Sequence, residues 1–519
     1  MYLTQALHRA RLQLSSTTAT VCGGRRRTYA ELANRVERLA AGIRSLGIAT
    51  GQSIGMLANN SDRYLEYYLA SYWAGGIVNP VNTRWSAAEI AYSLDDCETR
   101  LLIVDEAHRL LVENLRRTSS ALMTVVYAGD GSVPEGMISY ESLIESSVPI
   151  EDAVRRDSDI AGVFYTGGTT GSPKGVVLTH QHLYTNALTL LAEDAVSKAA
   201  IGLHVAPMFH MADVVFMNGL LMRGSTHVMV PTFDPVNVLK TIDAERITDC
   251  VLVPTMIQML VDHPGRPAYD ISSVRRMIYG ASPIDESLLD RALTAFSQAA
   301  FFQGYGMTEL SPLAAVLAPE FHSREHRASG KLRSAGRAAL CAELRILDES
   351  GQTVPIGTVG EIAVRSPCAM QGYLNKPEET AAAFKDGWVH TGDGGYLDAD
   401  GFLYVVDRLK DMIVTGGENV FSIEVENALL KHPSIAACAV IGVPDTDWGE
   451  RVHAVIVLRT GIDAIELDAI REHARQYIAS YKCPRSIEVR STLPLSAAGK
   501  VLKKTLREPY WQGRTRRVS

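Results

Sequence analysis

The segment from Tyr165 to Gly175, with the sequence YTGGTTGSPKG, has the composition of a phosphate-binding loop. Its glycines let the backbone approach an anion, and successive N–H groups of such a loop can point toward it. Hydroxyl groups and the positive charge of Lys174 add further donors. A Walker loop is excluded, because that pattern requires Ser or Thr after the lysine and Gly175 stands there. The candidate phosphate ligands are Thr166, Gly167, Gly168, Thr169, Thr170, Gly171, Ser172 and Lys174.

Further along the chain, other short segments combine glycine with carboxylates or lysine. Each has a plain structural interpretation when taken singly. Asp393 could be a turn residue, Glu309 the exposed start of a helix, and Lys500 a solvated loop lysine. In chain order the segments are GYGMTE (304–309), HTGD (390–393), DRLKD (407–411) followed by GGEN (416–419), and PLSAAGK (494–500).

Taken together and in this order, the motifs resemble those of the acyl-adenylate-forming superfamily. That superfamily joins acyl-CoA synthetases, peptide-synthetase adenylation domains and luciferases. The resemblance covers nearly the whole chain and implies attack of a carboxylate on the α-phosphorus of ATP, with release of pyrophosphate. Charge then develops on phosphate oxygens, so the catalyst consists mostly of positioned cations and donors.

The resemblance also implies roles for individual residues. The glycine-rich loop with Lys174 would hold the β- and γ-phosphates, and Glu309 would help to hold Mg²⁺, a hard ion that prefers oxygen ligands. Thr308 would contact the α-phosphate, and Lys500 would bridge the substrate carboxylate and that phosphate. Asp393 would accept hydrogen bonds from the ribose, with Arg408 nearby. The adenine would lie among Gly280, Ala281, Ser282, Gln303, Gly304, Tyr305 and Gly306.

The acyl group is predicted to bind beside the segment 206–211, where an aromatic residue of the family gates the acyl pocket and where His210 fits the gating role by resemblance. Amino-acid-activating relatives carry an aspartate after the aromatic residue, and this sequence has His210 there, which argues against an α-amino acid substrate. The wall lacks an obvious lysine or arginine for a second carboxylate, so a monocarboxylic aromatic or aliphatic acid is expected. Its predicted members are His204, His210, Met211, Val214, Val215, Gly280, Gly304, Met307 and Pro312.

The acceptor of the acyl group is predicted to be CoA. By resemblance, Gly416 and Gly417 would let a pantetheine arm pass, Trp448 would pack against it, and Lys482 and Arg485 would contact CoA phosphates. Some relatives carry a further basic residue where this chain has Cys483. An amide ligase that passes the acyl group to an amine or a carrier protein is therefore the alternative. A third possibility, a non-catalytic nucleotide sensor, is disfavoured because Lys500 and Glu309 are both present.

The elements that must position these residues follow an alternating helix and strand pattern. The capping-box pairs Thr28 with Glu31 and Ser86 with Glu89 predict the starts of two helices, and apolar residues at helical spacing follow the first pair. Residues 101–104 read as a buried strand. Short β-branched strands between helices predict parallel sheets covered on both faces, within an α/β fold. Past Gly330 closely spaced strands predict an antiparallel, β-rich subdomain.

A small mobile α+β domain is expected at the C-terminus, so that residues 1–409 form the adenylation domain and residues 410–519 the mobile domain. Within the mobile domain, the sequence pattern predicts a strand over 451–458 and a helix over 467–478. Lys410 would be the hinge about which this domain rotates after adenylation.

Composition excludes several classes of function. The net charge of −7 argues against a nucleic-acid binder, and no apolar run approaches the ~20 residues that span a bilayer. The seven scattered cysteines contain no CxxC pair, which fits a reducing compartment and neither a disulfide framework nor a zinc site. We expect a cytoplasmic enzyme that uses ATP, Mg²⁺ and CoA, and a homodimer is possible.

Overall fold

The computed structural model describes residues 1–166, 173–280, 284, 286–323, 326, 329–408, 411–415, 418–462, 464–495 and 501–512. Within these residues four β-sheets carry the fold. Two large sheets and one smaller sheet precede residue 409, and the fourth sheet follows it. The predicted boundary between residues 409 and 410 falls outside the described residues and stays a prediction.

The first sheet contains the strand that leads into the glycine-rich segment. Its central strands are parallel, and Leu101–Val104 is buried along its whole length, as expected for a strand covered on both faces. In spatial order its strands are Gly372–Tyr373, Lys174–Thr179, Ile160–Thr166, Ile77–Pro80, Ser53–Leu57, Leu101–Val104, Thr124–Tyr127 and Ile138–Ser139.

The second sheet is also parallel at its centre and antiparallel at both edges. In spatial order its strands are Arg337–Ala338, Leu313–Leu317, Ala300–Gly306, Arg276–Gly280, Asp249–Leu252, Ile201–His204, Thr226–Met229, Thr18–Cys22 and Arg25–Thr28. The last two form an antiparallel hairpin that the sequence pattern had not indicated.

The third sheet is antiparallel throughout its described pairs and confirms the predicted β-rich subdomain. Its strands are Glu343–Leu347, Gly360–Arg365, Trp388–Leu397 and Phe384–Lys385, with Leu403–Arg408 beside Trp388–Leu397. The fourth sheet belongs to the small C-terminal domain. It contains Glu418–Val420, Ile413–Thr415, Gly449–Leu458 and Ile435–Asp445, with Ser486–Val489 beside Gly449–Leu458.

Helices cover the sheets, and local sequence fixes where several of them begin. Thr28 with Glu31 and Ser86 with Glu89 form the two predicted capping boxes. The described α-helices are Gln5–Gln13, Tyr29–Ser45, Asp62–Trp73, Ala87–Asp96, Val112–Thr118, Tyr140–Ser146, His180–Ala192, Met211–Arg223, Pro235–Glu245, Pro254–Val261, Glu286–Ala295, Pro377–Ala383, Ser422–Leu429, Leu467–Arg475 and Lys503–Trp511.

The largest core cluster lies between the two large sheets. Asp62–Trp73 is buried on every side, and the rings of Tyr64, Tyr67 and Tyr68 pack against one another within it. In the described residues no helix combines the length and the apolar character needed to cross a membrane.

Candidate active site

The glycine-rich segment connects two antiparallel strands of the first sheet. Ile160–Thr166 leads into it, Lys174–Thr179 follows it, and Thr166 pairs with Lys174 across its base. Residues 167–172, and with them the predicted ligands Gly167, Gly168, Thr169, Thr170, Gly171 and Ser172, lie outside the described residues. Both ends of the segment are therefore fixed by a strand ladder.

Tyr373 links the base of this segment to Glu309. Its short strand pairs with Lys174–Thr179 so that Tyr373 lies opposite Val176. The Nζ atom of Lys174 lies 4.8 Å from the centre of the Tyr373 ring, and the Tyr373 hydroxyl donates to Oε1 of Glu309 at 2.7 Å. Burial, and then the negative charge of Glu309, raise the pKa of Tyr373, so its hydroxyl stays protonated and remains a donor.

Sequence reasoning missed Tyr373, because the local pattern around it indicates only the start of the next helix. The pair Gly372-Tyr373 stands just before Pro377-Glu378-Glu379, where a proline and two acids mark the start of a helix. Such a pattern identifies a helix start and carries no information about the partner of a tyrosine that precedes the helix. The pairing of Tyr373 with a strand about 200 residues earlier is a long-range contact.

Glu309 lies in the short 3-10 helix Thr308–Leu310, which follows the strand Ala300–Gly306 of the second sheet after one residue. Its side chain is buried, and its backbone carbonyl accepts a hydrogen bond from the N–H of Met370 at 2.8 Å. The Tyr373 hydroxyl uses one acceptor position of a carboxylate that has about four. Glu309 therefore retains oxygen lone pairs suited to a hard cation.

This setting fits Mg²⁺ shared with a bound polyphosphate. Mg²⁺ is usually held by one or two carboxylates together with substrate phosphates. The described part of the chain contains no group of three or more His, Cys, Asp and Glu side chains that could hold a metal ion without a substrate. The predicted role of Glu309, which is to hold Mg²⁺ together with substrate phosphates, agrees with the usual ligands of Mg²⁺ and with the absence of a larger ligand cluster in the described residues.

Two glycines of the predicted adenine site are required by close backbone packing. A Cβ on Gly280 would lie 2.2 Å from the carbonyl oxygen of Gly304, which pairs with it across two parallel strands. A Cβ on Gly306 would lie 1.6 Å from the carbonyl oxygen of Pro312. Either residue would therefore be a glycine for structural reasons even without a nucleotide. Ala281 and Ser282 lie outside the described residues.

Asp393 is part of a strand and is held by a tyrosine from a different motif. The hydroxyl of Tyr305 donates to Oδ2 of Asp393 at 2.9 Å, and the N–H of Asp393 donates to Oγ1 of Thr391 at 3.1 Å. Glu361 supports the same segment, because its carboxylate accepts the N–H of Gly392 and contacts Nδ1 of His390. The interpretation of Asp393 as an ordinary turn residue does not describe this arrangement.

The motif that contains Arg408 lies directly across from Asp393. Asp393 pairs with Arg408 in the antiparallel ladder between Trp388–Leu397 and Leu403–Arg408. The backbone thus places these two positions side by side, as the prediction of a shared ribose site requires.

Gln303, a residue of the predicted adenine site, belongs to the strand Ala300–Gly306 of the second sheet, and its Oε1 accepts a hydrogen bond from the Tyr279 hydroxyl at 3.3 Å.

The predicted acyl wall centres on the start of the helix Met211–Arg223. His210 is its N-cap residue, and its ring lies 4.4 Å from that of Phe209. Met211, Val214 and Val215 are buried on this helix, whereas Met307 and Pro312 come from the segment around Glu309.

Among the residues predicted to line the acyl wall, His204 has both of its ring nitrogens within hydrogen-bonding distance of other side chains. It is fully buried, with Nδ1 2.9 Å from Oδ2 of Asp213 and Nε2 3.0 Å from Nδ1 of His227. Protein side chains thus engage both of its ring nitrogens. Burial holds the pKa of His227 well below its usual range, so that ring is neutral.

Two of the residues predicted to contact CoA come together on the surface of the C-terminal domain. The Arg485 guanidinium lies 4.0 Å from the centre of the Trp448 ring, and Trp448 is 45% exposed. Thr415 pairs with Gly449, the residue after Trp448. This contact places the strand that precedes Gly416 and Gly417 beside Trp448.

Lys482, the other residue predicted to contact CoA phosphates, forms an ion pair within the domain. Its Nζ contacts both carboxylate oxygens of Glu424 at 2.7 and 2.8 Å. Cys483 is 1% exposed and belongs to the core of the C-terminal domain, and burial raises the pKa of its thiol. A buried neutral thiol contributes nothing to phosphate binding at this position.

Four further predicted residues lie outside the described residues: Lys410, Gly416, Gly417 and Lys500. The segment before Lys500 and the one after it are nevertheless joined. Leu495 and Val501 form an antiparallel bridge, and the N–H of Leu502 donates to the carbonyl of Pro494 at 2.8 Å. The roles of these four residues stay predictions.

Comparison with known proteins agrees with the fold and the motifs. The AMP-binding enzyme family matches residues 7–374, and the AMP-binding enzyme C-terminal domain matches residues 424–500. A feruloyl-CoA synthase of Amycolatopsis sp is 38% identical over 97% of this chain and 98% of its own length. A medium/long-chain-fatty-acid–CoA ligase of Mycobacterium tuberculosis is 36% identical over 96% of this chain and 88% of its own.

Among solved structures, the amide bond synthetase McbA of Marinactinospora thermotolerans superposes with a TM-score of 0.87 at 29% identity. That match covers 98% of this chain and 99% of the other. The chain therefore belongs to the AMP-binding enzyme family, and it is an AMP-forming ligase, as its motifs indicate. The predicted fold class is confirmed by the same likeness.

Proposed function

We propose that this enzyme joins a monocarboxylic acid to CoA through an acyl-adenylate, consuming ATP and releasing AMP and diphosphate. The observation that carries the proposal is the bridge made by Tyr373 between Lys174 and Glu309. The ring of Tyr373 contacts the cation at the end of the glycine-rich segment, and its hydroxyl contacts the carboxylate of the GYGMTE motif. A polyphosphate is bound by cations and by a metal ion that a carboxylate can hold.

The first step would be attack of a substrate carboxylate oxygen on the α-phosphorus of ATP, which breaks the bond to the β-phosphate. Lys174 would offset charge on the departing diphosphate, and Lys500 would bridge the carboxylate and the α-phosphate. Glu309 would hold Mg²⁺, which supplies positive charge beside the phosphate oxygens when bound. Asp393, oriented by Tyr305, would accept hydrogen bonds from the ribose hydroxyls.

The second step would be attack of a thiol on the acyl carbonyl of the adenylate, with AMP as the leaving group. Trp448 and Arg485 form an exposed aromatic and cationic pair, which suits the apolar arm and the phosphates of CoA. We propose that residues 410–519 rotate about Lys410 between the two steps, within a cytoplasmic enzyme.

The acid is proposed to be aromatic or aliphatic with a single carboxylate. Met211, Val214 and Val215 offer an apolar lining, and no lysine or arginine belongs to the predicted wall. Similarity to a feruloyl-CoA synthase makes ferulate the first acid to test, and a medium-chain fatty acid the second.

An amide ligase is the second candidate. The ammonium of Lys482 is committed to Glu424, and Cys483 is buried where some relatives carry a basic residue. Both features reduce the number of cations available to the CoA phosphates. Likeness to an amide bond synthetase is consistent with an amine acceptor.

The experiment is a measurement of diphosphate release with a panel of acids, in the absence of an acceptor, with CoA, and with a panel of amines. We expect a burst with the preferred acid and sustained turnover only when CoA is added. Sustained turnover with an amine and none with CoA would instead support the amide ligase. A dicarboxylic acid such as glutarate is the control, because the wall offers nothing for its second carboxylate.

A further inference from the structure

Two cysteines lie at the open end of the hairpin formed by the first strands of the β-rich subdomain. Glu343–Leu347 and Gly360–Arg365 pair so that Glu343 lies opposite Arg365, and these two side chains form an ion pair at 2.6 Å. Cys341 precedes this pair by two residues and Cys368 follows it by three. Strand pairing therefore holds the cysteines close although 27 positions separate them in the chain.

The sulfur atoms of Cys341 and Cys368 are 3.6 Å apart. A disulfide bond is about 2.05 Å long, so the sulfurs need to approach each other by about 1.5 Å for the bond to form. The hydroxyl of Ser366 lies 3.6 Å from the Cys341 sulfur and accepts the N–H of Cys368 at 3.1 Å. Ser366 thus fixes the turn that points both thiols toward each other.

The two thiols differ in access and in acidity. Cys341 is partly exposed, whereas Cys368 is completely buried. The hydrogen bond from the Cys368 thiol lowers the pKa of Cys341, and the same contact, with burial, raises the pKa of Cys368. All seven cysteines fall within the described residues, and burial raises the pKa of the other five: Cys22, Cys97, Cys250, Cys438 and Cys483.

We propose that Cys341 and Cys368 are a thiol modification site that closes to a reversible intramolecular disulfide in the presence of a peroxide. The site is independent of the proposed ligase reaction, because adenylation and thioester formation use no thiol of the enzyme. It goes beyond the sequence-based expectation of cysteines that form neither a disulfide framework nor a zinc site.

The reaction balances with hydrogen peroxide as the oxidant. The Cys341 thiolate attacks one peroxide oxygen, the O–O bond breaks, and hydroxide leaves, which converts Cys341 to a sulfenic acid. The Cys368 sulfur then attacks the Cys341 sulfur, the S–OH bond breaks, and water leaves with the proton of the second thiol. The two thiols together lose two electrons, and the peroxide is reduced to two molecules of water.

The experiment treats the full-length enzyme with a small excess of hydrogen peroxide. Intact mass and peptide mapping under non-reducing conditions are the readouts. We expect a loss of two hydrogens, a linked peptide pair that contains Cys341 and Cys368, and recovery of both thiols with dithiothreitol. A linkage between other cysteines, stable over-oxidation of Cys341, or retention of all seven thiols would overturn the proposal.

Variants separate the two chemical steps. Cys368→Ser should stop at a Cys341 sulfenic acid that dimedone traps, whereas Cys341→Ser should protect Cys368 from oxidation. Cys97→Ser is the matched control, because Cys97 is also partly exposed but its thiol donates to Ser53 and its pKa is raised to about 11. It should form the disulfide at the rate of the unmodified enzyme. Thermal unfolding of each variant verifies that it is folded before oxidation.

Discussion

In the N-terminal part of the molecule, the carboxylates predicted to handle ATP are already hydrogen-bonded to tyrosines, at 2.7 Å for Glu309 and 2.9 Å for Asp393. In the C-terminal domain, two of the residues predicted to handle the acceptor contact each other, and a third is paired with a carboxylate outside the predicted set. Arg485 lies over Trp448, and Lys482 is paired with Glu424. On the proposed roles, the difference indicates a preorganised nucleotide half, and we propose that another part of the enzyme completes the acceptor half.

The strongest way to separate the two halves is Lys500→Ala. Loss of the charge that bridges carboxylate and α-phosphate should reduce adenylation by about 10²–10³-fold. Transfer to CoA from a preformed acyl-adenylate should keep nearly its original rate. Single-turnover measurements of the two half-reactions decide the matter, and an equal loss in both would contradict the proposed division of labour.

Lys410→Pro tests whether rotation completes the acceptor half. Proline fixes φ near −65° and removes an N–H, so it freezes a position that has to change conformation. The variant should release diphosphate about once per active site and then stall with the adenylate bound. Consumption of the adenylate by CoA at the original rate, in folded protein, would show that Lys410 is not the hinge.

Asp393→Ala removes the proposed ribose acceptor. A hydrogen bond to a charged group contributes about 1.5–3 kcal/mol, so the KM for ATP should rise by about 10- to 100-fold while the KM for CoA changes little. The control is Asp400→Ala, which removes an exposed turn carboxylate paired with Lys331. If both variants behave alike, Asp393 has no role in nucleotide binding.

Trp448→Ala addresses the acceptor half directly. The variant loses the aromatic face under Arg485, and with a cation–π contribution of about 0.5–2 kcal/mol the KM for CoA should rise up to about 30-fold. Adenylation measured by diphosphate release should be unaffected, and Trp448→Phe should restore part of the affinity. A loss of adenylation would mean that the indole supports the fold and has no direct role with the acceptor.

Tyr373→Phe is expected to have the smallest effect. The ring under Lys174 is retained and a single hydrogen bond to Glu309 is lost, so adenylation should fall by about 3- to 10-fold. Calorimetry should show weaker binding of Mg²⁺·ATP with unchanged binding of metal-free ATP. Tyr510→Phe removes a comparable tyrosine–carboxylate bond, to Glu488 in the C-terminal domain, and should leave both properties unchanged.

Local patterns in the sequence were sufficient for much of the fold. The capping boxes at Thr28 and Ser86, the buried strand Leu101–Val104 and the antiparallel character after Gly330 are confirmed. Element ends were less well predicted. The helix predicted over 467–478 ends at Arg475, and the strand predicted to begin at residue 451 begins at Gly449. The ends of helices and strands depend on tertiary contacts, which the spacing of apolar residues in the sequence does not indicate.

For the candidate site, the motifs predicted which residues to examine but not what holds them. Tyr305 donating to Asp393, Glu361 supporting Gly392, and Tyr373 donating to Glu309 all join segments that are distant in the chain. The contact between Glu361 and Gly392 joins two paired strands, Tyr305 and Asp393 belong to different sheets, and Glu309 lies in a 3-10 helix. Such long-range partners have no local signature, so they could be found only in three dimensions.

The short strand Gly372–Tyr373 also has a consequence for biosynthesis. It covers the outer side of Lys174–Thr179, which would otherwise be the edge of the first sheet. Until the ribosome has delivered residue 373, that edge presents unpaired backbone groups to any other strand it meets. A chain that ends before Gly372 would keep this edge permanently open, and we expect it to aggregate even though every strand of the glycine-rich hairpin is present.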